Sequence, residues 1–270
     1  MAARVEHGPE EDLLASTLGC VTTPTTFADV LASRVSKAPG DPLITFYDHA
    51  SGERVELSAV TYANWVAKAA GLLSEECDLE RGQRISVDLP PHWLGPVFLG
   101  AAWTVGLVVV LDDAGGADVD AVVCGPDSLE RWAPRAAEIP VLACSLLPMG
   151  VRFRDGVPEG VRDVGIEVWS QPDAFTAWDP PTGDDAALVV DSGTLTQAAL
   201  VETAAAGSLL TDGGRLLTVA NPTSPSGLAT FTEPLVRDGS VVLVASADPE
   251  RLDATAEQER VTDRDQPARS

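Results

Sequence analysis

Apolar and polar positions along this chain alternate between two periods. Residues Phe27, Val30, Leu31 and Val35 recur at helical spacing behind Thr26, a residue suited to cap a helix, and Pro39, Gly40 and Pro42 stop the run. Leu43 to Tyr47 and Arg54 to Leu57 then read as two strands joined by a turn at Ser51-Gly52. Ser58 opens a longer helix carrying Tyr62, Trp65, Val66, Ala69, Leu72 and Leu73 on one face. Strands are predicted at Arg84–Leu89, Leu107–Leu111, Ala121–Cys124 and Val141–Cys144, with helices before Gly106 and over Asp127–Ala137. From Pro148 to Gly183 the pattern weakens to loops, with one strand expected at Gly165–Val168. It resumes with a strand at Ala186–Val190, a helix over Leu195–Leu210 that is apolar nearly all round and so expected to pack on both sides, and a strand at Arg215–Ala220. A helix at Leu228–Arg237, a strand at Ser240–Ala245 and a charged helix at Asp248–Arg260 complete the pattern.

Strands alternating with helices at short spacing predict an α/β fold of layered, mostly parallel sheets with helices on both faces. The expected organisation is an acidic tail over residues 1–22, a first α/β subdomain over 23–147, a loop-rich connection over 148–183, a second, incomplete α/β subdomain over 184–260, and a disordered tail over 261–270. No internal repeat is visible. Ligands of such sheets sit outside the carboxyl ends of the strands, which points to Asp112, Asp113, Asp191 to Thr194 and Asn221 to Gly227.

The stretch AALVVDSGTLTQAALVET, Ala186 to Thr203, carries the sharpest chemical expectation. Thr194 stands where a helix cap should stand, and Gln197 three residues on completes a capping box. Two readings of Ser192-Gly193-Thr194 are open. One is a turn with its cap; the other is an anion or nucleotide site on the free N–H groups of a helix N-terminus. No lysine follows Lys68. The motifs G-x-x-x-x-G-K-[ST], G-x-G-x-x-G and G-x-S-x-G are absent, and Gly115-Gly116 reads only as a turn. Asp112 and Asp113 are a candidate carboxylate pair for an unrelated α/β enzyme, against the plainer reading of solvated loop residues.

Charge and cysteines narrow the partners. A net charge of −23 over 270 residues argues against nucleic acid and anionic membrane surfaces. Trp93 to Leu111 is uncharged and long enough to test as a membrane span, but Gly95, Pro96, Gly100 and Gly106 interrupt it. Cys20, Cys77, Cys124 and Cys144 form no C-x-x-C pair and do not cluster with His7, His49 or His92, so neither a zinc site nor a disulfide scaffold is expected, and the setting reads as cytoplasmic. The N-terminus lacks the apolar core of a signal peptide.

Five segments in order, TFADVLASRVSKAPGDPLITFYD, LSAVTYANWVAKAAGLL, RGQRISVDLPPHWLGPVFLGAAWTVGLVVVLDD, DDAALVVDSGTLTQAAL and LATFTEPLVRDGSVVLVASADPERLDATAEQERVT, span Thr26 to Thr262. Together they resemble the N-terminal part of the adenylate-forming superfamily: acyl-CoA synthetases, peptide-synthetase adenylation domains and luciferases. Gln83 stands where that family has Asp. The resemblance implies ATP or AMP with Mg as ligand and Ser192, Gly193 and Thr194 as what survives of the ATP loop. The family's loop continues through Thr-Gly, a Pro and a phosphate-holding Lys; here Leu195, Thr196, Gln197 and Ala198 follow, and only Arg215 or Arg237 could stand in for the lysine. The family's later aromatic-Thr-Glu motif, ribose-binding Asp and catalytic C-terminal Lys are not found in these 270 residues. The expectation is a truncated homologue that does not adenylate, binding a nucleotide or acyl ligand weakly or engaging a protein partner or a second copy through sheet edges. The alternative is an ATP-dependent carboxylate-activating enzyme completed by a partner chain.

Overall fold

The computed structural model describes residues 24–111 and 118–265. Asp112, Asp113 and Gly115-Gly116, the whole expected N-terminal tail and residues 266–270 lie outside the described residues. Helix α1 (Phe27–Lys37) begins at a complete capping box, the Thr26 hydroxyl accepting from Asp29 N–H while the Asp29 carboxylate accepts from Thr26 N–H. Strands β1 (Pro42–Asp48) and β2 (Arg54–Ser58) form an antiparallel hairpin. Ser58 caps α2 (Ala59–Gly71), and β3 (Arg84–Asp88) leads to α3 (Leu94–Val105).

Helix α3 carries no charge because almost none of it meets water: every residue but Thr104 is buried. Full burial of side chains such as Val97, Phe98, Leu99 and Trp103 is worth about 1.5–3 kcal/mol each. Gly106 ends the helix at φ +92°, a left-handed conformation that glycine adopts without strain, and turns the chain into β4 (Val108–Val110). At 12 residues α3 is a buried core helix; among the described residues no helix is long and apolar enough to cross a membrane.

A seven-stranded sheet runs in the order β7-β6-β5-β3-β4-β8-β9. Its further strands are β5 (Ala121–Cys124), β6 (Val141–Ala143), β7 (Arg162–Asp163), β8 (Ala186–Val190) and β9 (Gly193–Thr196), all parallel except β9. A five-stranded sheet runs β12-β10-β11-β1-β2, completed by β10 (Arg215–Thr218), β11 (Ser240–Ala245) and β12 (Asp263–Arg264). Residues 23–147 and 184–260 therefore both feed both sheets. Helices α1, α2, α3 and α7 (Ala229–Val236) contribute to one large core with Ile44, Phe46, Val241 and Leu243 of one sheet and Ile85, Val87 and Val109 of the other. Alternate residues of the same strands face two outer cores. One is closed by Trp132 of α4 (Leu129–Trp132), the other by Ala256 of α8 (Pro249–Gln258). The result is five layers, helix and sheet in alternation.

Several expected elements differ. The helix over Asp127–Ala137 is broken into 3-10, α and 3-10 turns, since Pro134 lacks the N–H a continuous helix needs. Instead of a strand at Gly165–Val168 there is a helical turn, α5 (Val164–Glu167), because the Asp163 side chain caps Gly165 N–H. The helix expected over Leu195–Leu210 is the shorter α6 (Gln197–Ala205), and it packs on one side only, with Glu202 and Thr203 exposed. Residues 261–265 of the expected disordered tail are ordered, β12 pairing with β10.

Candidate functional site

Strand β3 is flanked by β4, which follows it through α3, and by β5, which the chain reaches by crossing back over β3. The order of strands reverses there, and at such a point the helices leaving neighbouring strands diverge onto opposite faces and open a crevice at the carboxyl ends. The structure has that crevice. About 300 Å³ in volume, it is lined by residues at the ends of β3 and β4, by Arg131 and Trp132 after β5, and by Asn221, Thr223 and Ser224 from the loop after β10.

Its walls are built by specific bonds. The Asp88 carboxylate, at the last residue of β3, accepts from Trp132 Nε1 at 2.7 Å, with Arg131 at 3.7 Å. The Arg131 guanidinium lies 4.7 Å from the centre of the Trp132 ring, a cation–π distance. Across the crevice the Leu89 carbonyl accepts from Asn221 Nδ2 at 2.8 Å and from Thr223 Oγ1 at 2.9 Å, tying the loop of the five-stranded sheet to the end of β3. Ser224 Oγ donates to the Asn221 carbonyl at 2.8 Å. The loop closes on itself so tightly that a Cβ on Gly227 would sit 2.0 Å from that same carbonyl, so only glycine fits. Among the described residues the crevice thus presents the Arg131 cation, the Asp88 carboxylate, part of the Trp132 ring and several hydroxyl and amide groups, a lining for a small polar ligand.

Of the residues singled out from sequence, Asn221, Thr223, Ser224 and Pro225 line this crevice. Asp88, Arg131 and Trp132 were not foreseen, since only the strand order shows that β3 is the reversal point. Among the described residues no group of three or more His, Cys, Asp or Glu side chains could hold a metal ion.

Ser192, Gly193 and Thr194 stand elsewhere, and the capping box between Thr194 and Gln197 does not form. Val190 pairs with Gly193 and Leu188 with Leu195, so Asp191 and Ser192 are a two-residue hairpin turn and Thr194 lies within strand β9. Gly193 has φ +137°, which favours glycine, and Asp191 to Thr194 are exposed. The helix cap is Thr196, whose Oγ1 accepts from Ala199 N–H at 3.1 Å. Strand β9 carries it roughly 10 Å from the turn, at the opposite end of the sheet. The first amides of α6 are already taken: Gln197 N–H by the Asp185 carbonyl at 2.8 Å and Ala198 N–H by the Gly183 carbonyl at 2.9 Å. The donors that would make a helix N-terminus bind an anion are thus satisfied within the protein. Gln197 is fully buried, its Oε1 accepting from Phe27 N–H and its Nε2 donating to the Trp103 carbonyl. Replacing Thr196 by Ala is expected to cost about 1 kcal/mol and replacing Thr194 by Ala less than about 0.5. Equal losses in urea unfolding would contradict the assignment of the cap.

The arginines considered as stand-ins for a lysine are engaged in ion pairs. Arg215 contacts Glu259 at 2.6 Å and Arg237 contacts Asp212 at 2.8 Å. Lys68 pairs with Asp173 at 3.0 Å.

Layered sheets joined in this order, with a crevice at the reversal point, have the fold of the N-terminal domains of acyl-CoA synthetases. Comparison with solved structures agrees. Brucella canis acyl-CoA synthetase superposes with a TM-score of 0.74 at 16% identity, over 88% of this chain and 46% of that one. The N-terminal domain of FACL13 from Mycobacterium tuberculosis superposes with a TM-score of 0.66 at 14% identity, over 87% and 61%. At such identities the likeness is one of fold, and the chain spans about half to three-fifths of these proteins. No family model matches the sequence. A TIGR03089 family protein of Mycobacterium tuberculosis (strain ATCC 25618 / H37Rv) is 34% identical over 250 residues, covering 90% of this chain and 99% of the relative. The chain belongs to the TIGR03089 family.

Proposed function

We propose that this protein is a non-adenylating module built on the acyl-CoA synthetase N-terminal fold, which binds a nucleotide weakly in the crevice between Asp88, Trp132 and Asn221. The observation that carries the first half is the two-residue turn at Asp191-Ser192. Carboxylate activation needs cationic or N–H donors held against the charge that develops on the ATP phosphates. Removing one such donor costs about 2.7–4 kcal/mol of transition-state stabilisation. A closed hairpin whose neighbouring helix has spent its first amides supplies no such cradle, and Lys37 and Lys68 are paired elsewhere with Asp238 and Asp173.

The second half rests on the chemistry of the crevice. Arg131 and the hydroxyl and amide groups of Ser224 and Asn221 suit a phosphate and a ribose better than they suit an acyl chain. Thermal unfolding of the whole chain with millimolar Mg-ATP and with AMP tests this. A ligand at about 100 times its dissociation constant adds about 2.7 kcal/mol, so the midpoint should rise, and Arg131→Ala should remove the rise. No shift with either nucleotide would overturn the nucleotide assignment. Acyl-dependent ATP–pyrophosphate exchange by the pure protein would overturn the non-adenylating reading. Exchange appearing only on addition of a second chain would support the alternative, a carboxylate-activating enzyme completed by a partner.

A further inference from the structure

An apolar patch independent of the crevice lies at the β6–β7 side of the seven-stranded sheet. Met149, Val151, Ile166 and Trp169 are exposed by 69%, 43%, 57% and 48%. They come from two segments that the structure holds together. A Cβ on Gly165 would lie 2.3 Å from the Arg152 nitrogen, so the chain at Val151-Arg152 runs directly against the turn that bears Ile166. Gly150 sits over the Trp65 and Trp93 rings, where a Cβ would be 3.5 and 3.6 Å away, and the Trp65 ring stands 5.4 Å from that of Trp169. Met149, at φ +63°, is turned outward from this platform. The patch is therefore one surface built from two packed segments, and water faces side chains that water disfavours.

Its charge is unlike that of the rest of the molecule. Most described cations of this −23 chain are held in ion pairs; beside the patch Arg162 pairs with Glu167 at 2.5 Å. Arg152 and Arg154 are exposed and hold neither an ion pair nor a hydrogen bond among the described residues. Together with Leu147, Pro148, Val151 and Phe153 they line an open concavity of about 580 Å³. Asp155 and Glu159 follow on the same segment, beyond the concavity. On a surface that repels acidic chains nearly everywhere else, this place offers apolar contact and two uncommitted guanidinium groups.

We propose that the patch formed by Met149, Val151, Ile166 and Trp169, with Arg152 and Arg154, is the docking site for an acidic amphipathic segment of a partner protein. The guanidiniums pair with its carboxylates and Trp169 anchors its apolar face. The test is fluorescence anisotropy of the full chain with a labelled peptide of about 15 residues, alternating Glu with Leu and Phe at helical spacing. Two control peptides replace Glu by Gln or by Lys. The acidic peptide should bind at least about tenfold more tightly than either control, and R152E/R154E should weaken it by at least about tenfold. Trp169→Ala should weaken it as well, while R152E/R154E leaves the thermal midpoint unchanged, the two arginines being unbonded.

Equal binding of the three peptides, or an unaffected R152E/R154E variant, would overturn the proposal. So would displacement of the labelled peptide by inorganic phosphate as effective as by unlabelled peptide, which would make the patch a small-anion site. Sedimentation showing a dimer that R152E/R154E dissociates would make the occupant a second copy instead.

Discussion

Replacing Glu259 by Ala is expected to destabilise the protein by about 3–5 kcal/mol at neutral pH, the cost of breaking a buried ion pair by removing one partner. Glu259 follows the last turn of α8 and is 8% exposed. One carboxylate oxygen accepts from Arg54 Nε at 2.9 Å and from the Tyr47 hydroxyl, and the other accepts from Arg215 at 2.6 Å. Arg215 also donates to Thr45 Oγ1 at 2.8 Å and to Ser240 Oγ at 3.2 Å. One carboxylate thus ties α8 to β1, β2 and β10, and its loss leaves the half-buried Arg215 guanidinium without a counter-charge. Burial alone would raise the Glu259 pKa, but the hydrogen bonds from Arg54, Tyr47 and Arg215 outweigh it and bring it down to about 2 from an ordinary value of 4.5. A depressed acid contributes stability above its unfolded pKa, so the contribution is complete above about pH 4.5 and is lost as pH falls towards 2. Urea unfolding at pH 7 and pH 3 checks both: the variant should lose most at pH 7, and the gap to the natural protein should narrow in acid. A loss below about 1 kcal/mol at pH 7 would show that the network holds little.

Replacing Gln197 by Ala is expected to cost about 2–5 kcal/mol, more than its place on a nine-residue helix suggests. Its amide joins three helices at one point: it accepts from Phe27 N–H at the start of α1, donates to the Trp103 carbonyl near the end of α3, and itself opens α6. The Phe27 amide and the Trp103 carbonyl are buried with it, so the truncation leaves two polar groups without partners or water, each worth about 1–3 kcal/mol. The midpoint in urea should fall with an unchanged slope, and Phe27 N–H should lose its protection from hydrogen exchange. An effect as small as that of Thr194→Ala would mean that Gln197 is a surface cap after all.

The comparison of Thr194 with Thr196 shows where reading the sequence stops. Thr194-x-x-Gln197 and Thr196-x-x-Ala199 are both plausible helix starts within two residues of each other, and the capping-box pattern favours the first. The structure takes the second, because β9 pairs with β8 and keeps Gly193 to Thr196 extended. The first α6 amides, on which an anion at a helix N-terminus would rest, are bonded to the Asp185 and Gly183 carbonyls. Resemblance to the adenylate-forming superfamily, by contrast, identified the fold from the order of segments, which survives the change at a single loop.

What the sequence by itself determined is local. The caps at Thr26 and Ser58, the left-handed stop at Gly106 and the apolar runs of β4, β5 and β11 were legible because each depends on residues within about four positions of one another. The crevice depends on Trp132 meeting Asp88 across 44 residues and on Asn221 meeting Leu89 across 132, and the interior clamp on Gln197 meeting Phe27 across 170. Strand order brings those pairs together. It is decided by how both faces of each sheet can be buried at once, a condition that the whole folded chain satisfies and no single segment encodes.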